Sequence, residues 1–419
     1  MAANPGKDSS VDPDPAQNED KNTRLLEAAK KGQLDTLKHL ISVEHCDPMY
    51  QDENRLTAII YATNNGHLEV VQFLCDECGV NPKLYEEEYY TTLPHLAAKN
   101  GYLNMLKYLI KEKHCDPKCR NENGLTSLHL AVSHGHLQVV QYLIDECGMD
   151  PECRDDKRLT PLHYAAATRP LQLIILTYLI KQKKCDPMCR DQGGHTILTL
   201  AAAQHNLFQV VRCLIDECGV DPEVCWMETM SIPWLLFITN QLMCILRYFI
   251  KEKNCNPTSV KINGQTILHE AVYHGYLNVV QFLIDDCGMN PESRTDDTGC
   301  TVIHLAAERG HVDILKYLIN EKACDPMYRD NNGRTLLQHS HSNCLLQVLR
   351  CVIDECGMNP STCWEEIRPT SFSSLSSGSE SPDVLRYLIK EKHCDAMWKD
   401  KSGQTILHKV ASEGRLEVV

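Results

Sequence analysis

The sequence predicts an all-α solenoid, a tandem stack of helix–turn–helix pairs joined by projecting hairpin loops. Three observations carry that reading. Proline recurs at Pro48, Pro82, Pro117, Pro151, Pro187, Pro222, Pro257, Pro291, Pro326 and Pro360, at intervals of 34–36 residues, and Ala396 takes the next place. A period of that size, held along the chain, means one supersecondary unit copied many times, each copy packing on its neighbours. The copies also alternate. Leu109 to Pro117 reads Leu-Ile-Lys-Glu-Lys-His-Cys-Asp-Pro, a basic type that returns before Pro187, Pro257, Pro326 and Ala396. Leu143 to Pro151 reads Leu-Ile-Asp-Glu-Cys-Gly-Met-Asp-Pro, an acidic type that returns before Pro222, Pro291 and Pro360. Two-copy cassettes were therefore duplicated in tandem. Within each copy, apolar residues keep the 3–4 spacing of helices.

The elements follow in order from one copy, Asn121 to Pro151. Asn121-Glu122-Asn123-Gly124 is turn chemistry, with Gly free to take a positive φ at a hairpin tip. Thr126 can cap a helix, and in the next copy Thr160 is followed by Pro161 at the first helical position. Leu128, Leu130 and Ala131 begin a short helix that ends at His134-Gly135. A second helix is expected from about Leu137 to Glu146, with Val139, Val140, Leu143 and Ile144 as its apolar stripe. Cys147-Gly148 closes it, Gly acting as a left-handed cap. Each helix is too short to be stable alone and needs its neighbours.

Residues 1–22 are polar, acidic and without an apolar core segment, and read as a disordered tail ahead of an array over 23–419. The array is degenerate near 227–257 and 365–396, where Met227 to Asn240 lacks the repeat's pattern and Thr370 to Ser381 is serine-rich. Val419 falls a few residues into the second helix of a further copy, as in a truncated product. The stretch Ile232 to Ile250 is apolar and long enough to cross a membrane, yet it carries Asn240, Gln241 and Arg247 in phase with the repeat, so it reads as a degenerate copy.

A net charge of −14 argues against nucleic acid or an anionic membrane as partner. With no secretory leader apparent, the 22 cysteines point to a reducing, cytoplasmic setting. Cys46, Cys115, Cys185, Cys255, Cys324 and Cys394 share one slot two copies apart, about 16–20 Å at normal helix spacing. That separation is too wide for a disulfide or a shared zinc ion, so these residues are expected as small buried hydrophobes.

No unique catalytic constellation is visible. His269 and His274 bracket a run like that of a zinc-protease helix but lie five residues apart, not four, so they do not share a face. Cys75 and Cys78 form a lone pair without partners, and Asp-Glu pairs at Asp145, Asp216 and Asp354 are copies at helix ends. The expectation is no enzyme, no cofactor, no metal and no small-molecule substrate.

Thr126-Ser127-Leu128-His129-Leu130-Ala131, Thr160-Pro161-Leu162-His163-Tyr164-Ala165, Thr266-Ile267-Leu268-His269-Glu270-Ala271 and Thr301-Val302-Ile303-His304-Leu305-Ala306 resemble the Thr-Pro-Leu-His-x-Ala signature of ankyrin repeats. Gly135-His136 and its equivalents fit that family's helix-to-helix turn. The resemblance spans Thr23 to Val419 as about eleven to twelve copies. It implies a non-catalytic scaffold or adaptor that binds other proteins along its concave face and hairpin tips. By position, the implied contact residues are Tyr61, Asn64, Asn65, Glu87, Tyr89, Tyr90, Lys99, Asn100, Ser133, His134, Tyr164, Tyr273, His274, Glu308 and Arg309. Two other readings stay open: the targeting region of a longer enzyme or channel extending past Val419, and a thiol-rich metal or redox buffer.

Overall fold

Helix pairs recur as the proline spacing requires. A computed structural model describes residues 15–83, 85–86, 91–167, 172–232, 242–259, 261–262, 264–341, 344–374, 381–395, 397, 405 and 408. The chain divides into two compact units, up to Asp221 and from Pro222. The first unit begins with helices Pro15–Lys31 and Leu34–Ser42, then Ala58–Asn64 and Leu68–Asp76. Leu93–Lys99, Ser127–Ser133, Pro161–Ala167 and Ile197–Ala203 are the next first helices. The second unit repeats the pattern with Ile267–Tyr273, Val302–Arg309 and Leu336–His339. Strand structure among the described residues is confined to two short antiparallel hairpins, Tyr85–Glu86 with Thr91–Thr92 and Lys261–Ile262 with Gln265–Thr266, and one bridge from Arg294 to Thr301.

The prolines mark a specific turn. In most of the repeat's Asp-Pro or Asn-Pro pairs the side-chain oxygen accepts the N–H two residues on, as Asp116 does from Lys118 at 2.9 Å, Asp186 from Met188 at 2.8 Å and Asn290 from Glu292 at 2.9 Å. Such turns need no proline N–H, so proline rigidifies them at no hydrogen-bond cost. At the hairpin tips an Asp or Asn does the same: Asp155 Oδ1 accepts from Lys157 at 2.9 Å and Leu159 at 2.7 Å. The core runs along the helices. Leu128, Ala131, Val132, Val140 and Leu143 are fully buried, as are Leu268, Ala271, Val280 and Leu283 in the second unit.

Three cross-repeat contacts set the register. The signature histidine is the first. His129 Nδ1 accepts the Thr126 N–H at 3.2 Å, so the ring proton sits on Nε2, which donates to Cys153 O of the next hairpin at 3.2 Å. His95 reaches Cys119 O and Leu125 O at 3.0 and 3.1 Å, and His304 reaches Tyr328 O and Arg334 O at 3.1 and 3.2 Å. Each histidine thus caps its own helix and staples it to the following copy. The turn histidines form the second contact: Nε2 of His67, His136 and His311 donates to the carbonyls of Lys30, Lys99 and Tyr273 in the preceding copy, at 3.0, 2.9 and 3.1 Å.

The third contact explains the basic–acidic alternation. The Asp of an acidic copy is gripped by a tyrosine hydroxyl and a lysine of the basic copy that follows. Asp76 meets Tyr108 at 3.0 Å and Lys113; Asp145 meets Tyr178 at 3.1 Å and Lys183; Asp285 meets Tyr317 at 2.9 Å and Lys322. The ladder cysteines add a weak bond of the same direction. Cys115, Cys185, Cys324 and Cys394 donate to the carbonyls of Pro82, Pro151, Pro291 and Pro360, at 3.7, 3.9, 4.0 and 3.6 Å. They are buried thiols, as expected, but they also serve as donors between copies.

Several expectations need correction. The first helix begins at Pro15, inside the segment read as tail; Lys21 and Arg24 lie 4.0 and 3.7 Å from Glu44, which ties this polar stretch down without any hydropathy signal. The second helix of most copies is not α-helical throughout. Leu137–Gln141 gives way to a π-helical turn, Tyr142–Glu146, closed by Cys147 N–H to Tyr142 O at 3.1 Å and Met149 N–H to Leu143 O at 3.0 Å. In the two degenerate copies a helix begins directly at the proline, Pro222–Ser231 and Pro360–Ser374, where a hairpin was expected. Both lack an Asx-Gly tip and instead bury a Cys-Trp pair, Cys225-Trp226 and Cys363-Trp364. The helix covers Thr370 to Ser374, part of the serine-rich run read as irregular; residues 375–380 and 233–241 lie outside the described residues. No helix among the described residues is long and apolar enough to cross a membrane.

Candidate partner-binding surface

The expected contact residues occupy three places on the first helices. Asn64, Lys99, Ser133, Tyr273 and Glu308 form one row, and Asn65, Asn100, His134, His274 and Arg309 form the next, just before the turn glycine. All are exposed or half-buried. The helix ends there because glycine takes the left-handed conformation, φ 77° at Gly101 and 73° at Gly310.

Neighbouring copies meet diagonally along these rows. Asn100 Nδ2 donates to Asn64 Oδ1 at 3.0 Å, and the Arg309 guanidinium lies 3.7 Å from the Tyr273 ring centre. The same relation thus recurs in both units with different chemistry. In the first unit the rows carry amides and a hydroxyl beside Lys99 and His134: Asn65 Nδ2 donates to Tyr61 O at 2.8 Å, and Ser133 Oγ to Leu130 O at 3.0 Å. In the second they are aromatic and charged. His274 packs edge-on to Tyr273 at 5.1 Å and lies 3.7 Å from Glu270. Burial, then the charges of Arg309 and His311, hold His274 below the usual histidine range. Glu308 pairs with His341 at 3.8 Å.

Tyr61 and Tyr164 stand apart from these rows. Their hydroxyls donate to Asp52 at 2.6 Å and Asp155 at 2.8 Å, latching each hairpin to its helix. The bond to Asp52 raises the Tyr61 hydroxyl to about 12, and burial followed by the Asp155 bond raises Tyr164 well above its usual value. Lys30 lies 5.9 Å from the Tyr61 ring centre. Glu87, Tyr89 and Tyr90 lie outside the described residues.

The zinc-protease-like pair splits as its spacing required: His269 is buried as a cap, with Thr266 N–H donating to Nδ1 at 3.3 Å, whereas His274 ends the helix. Cys75 is buried and raised to about 11 by desolvation. A group that sequence reading missed is Cys300, Asp330 and His339, whose ligand atoms all lie within 4.8 Å of one another. Its signal was present in departures from the repeat: Cys300 stands where Leu125 and Leu159 stand in other copies, and His339 where Tyr61 and Tyr164 do.

A family model described as ankyrin repeats (three copies) matches residues 25–121, 95–191, 198–295 and 287–362. No curated protein matches the chain. The matched segments, together with the helix pairs, the threonine–histidine caps and the hairpin turns, show that the chain belongs to the ankyrin-repeat family.

Proposed function

We propose that the array is a non-catalytic scaffold or adaptor that binds partner proteins across the ends of its first helices and its hairpin tips. Ankyrin repeats serve in general as protein-interaction modules and are in general non-catalytic. The observation that carries the reading is the diagonal register of the two rows. Equivalent positions stand side by side in successive copies, joined as Asn64–Asn100 and Tyr273–Arg309 are, yet each copy presents a different side chain. A surface of that kind is continuous and variable, which suits recognition of an extended protein segment. Tyrosine and arginine, paired here, are both residue types enriched at binding hot spots.

A thiol buffer fits less well. Burial raises Cys115, Cys153 and Cys324 to about 11 and Cys185 to about 12, so these thiols stay protonated and unreactive near neutral pH. The test is proximity labelling from the full chain, repeated with the pair Tyr273→Ala and Arg309→Ala. Partners that depend on the surface should drop out by about tenfold or more, while stability stays within about 1 kcal/mol of the parent. An unchanged set of labelled proteins would remove this face from consideration.

A further inference from the structure

In a repeat array each position can be judged against its equivalents. Two hairpin aspartates, Asp52 and Asp155, are latched by tyrosine hydroxyls. At the equivalent place in the copy that begins at Asp330, the latch is His339, with Nε2 2.9 Å from Asp330 Oδ2. One copy earlier, Cys300 replaces the leucine found at Leu125 and Leu159, and its Sγ lies 3.9 Å from Asp330 Oδ2 and 3.7 Å from His339 Nε2. Two separate departures, in adjacent copies, therefore converge on one carboxylate. Among the described residues this is the one group of three with such geometry. Cys300 and Asp330 are 6% exposed.

A tetrahedral zinc site has bonds of about 2.3 Å to sulfur and about 2.0–2.2 Å to nitrogen and oxygen, which puts neighbouring ligand atoms roughly 3.3–3.6 Å apart. The two sulfur edges are already within a few tenths of an ångström of that. The nitrogen–oxygen edge is shorter because a proton is shared across it. Asp330 Oδ1 is fixed by the N–H groups of Asn332 at 2.9 Å and Arg334 at 2.8 Å, while Oδ2 faces His339 Nε2 at 2.9 Å and also accepts from Nε and Nη2 of the Arg334 guanidinium, each at 3.0 Å. Outer bonds of this sort orient a ligand. Cys300 and His339 also line a cavity of about 630 Å³, together with Thr298, Glu308, Gln338 and His341.

We propose that Cys300, Asp330 and His339 form a site for a zinc-class divalent cation, with three protein ligands and a fourth coordination place open to the cavity. On binding, the Cys300 thiol releases its proton to solvent, and the neutral His339 ring carries its proton on Nδ1 so that Nε2 bonds the metal. Metal binding at Oδ2 replaces the two hydrogen bonds, each 3.0 Å, that the Arg334 guanidinium makes to that oxygen, and the Arg334 side chain, 41% exposed, then turns to solvent. The two anionic ligands then balance the cation's charge, and the site joins two successive copies.

The repeat itself supplies variants that remove ligands without disturbing the fold. Cys300→Leu and His339→Tyr restore the residues found at Leu159 and Tyr164. The full chain and each variant are titrated with Co(II) under reducing conditions, and Zn(II) is then added to displace it. The site predicts one tight Co(II) per parent chain, with a thiolate-to-cobalt charge-transfer band and intense tetrahedral visible bands, all bleached by Zn(II). Either substitution should weaken that equivalent at least tenfold, while melting without metal is unchanged or higher. Zn(II) should raise the parent's melting temperature and leave both variants' unchanged. Equal Co(II) stoichiometry and affinity in all three proteins, or no tetrahedral spectrum in the parent, overturns the proposal.

Discussion

At the scale of single residues, the alternation of copies leaves a record of strain. Acidic copies end their second helix with glycine in the left-handed conformation, φ 65° at Gly148 and 69° at Gly288. Basic copies hold a side chain there, with φ 54° at His114, 59° at Lys184 and 52° at Ala323. A β-carbon in that region costs on the order of 1 kcal/mol. Ala323→Gly should therefore stabilise the protein by about 1 kcal/mol, read as a rise in melting temperature; no rise, or a fall, would show that the site is relaxed. Tyr164 gives the opposite case. Its hydroxyl satisfies the buried Asp155 carboxylate, so Tyr164→Phe should cost about 1–2 kcal/mol. Sequence reading placed Tyr61 and Tyr164 among partner contacts by their position in the repeat. The aspartate nine residues earlier, which occupies each hydroxyl, becomes visible only once the hairpin is folded.

At the scale of elements, the histidine staple makes the array acid-sensitive. Burial holds His129 and His304 at about 4, below the ordinary histidine value of 6.5. A base whose pKa is depressed by folding contributes its full stability above 6.5 and loses it as pH falls from 6.5 towards 4. The loss is about 1 kcal/mol per pH unit for each such histidine. The chain contains its own control: Gln338 occupies the signature place, accepts the Thr335 N–H at 3.2 Å through Oε1 and donates to Glu366 O at 2.9 Å. His129→Gln should keep the staple and flatten the pH dependence of chemical denaturation over that window; an unchanged slope would mean that the staple does not control it. Much of this element was legible in advance. The threonine cap, the glycine stops and the alternating Lys-Glu-Lys and Asp-Glu-Cys runs were plain in the sequence. Their connections were not, because each joins residues some 24–38 positions apart that only stacking brings together. The π-helical turn was hidden for a different reason: its apolar spacing is that of an α-helix, and only the hydrogen-bond partner shifts.

At the scale of the whole molecule, two compact units of like construction divide at Pro222, where the first helix-for-hairpin exchange occurs. In a nearest-neighbour array the damage from a core cavity stays near the altered copy. Leu128→Ala should cost roughly 2–5 kcal/mol and speed hydrogen exchange in Leu93–Lys99 and Pro161–Ala167 more than in Val302–Arg309. Uniform acceleration along the chain would show a single cooperative body. The proposed partner surface is formed by the two rows at the ends of the first helices together with the hairpin tips. The most direct test is hydrogen exchange of the full chain with and without a partner recovered by proximity labelling. Slowed exchange at the ends of the first helices and in their turns, around Asn64–Asn65, Lys99–Asn100 and Ser133–His134 or around Tyr273–His274 and Glu308–Arg309, is the predicted result. Slowing confined to the second helices, or to residues 1–22, would contradict it.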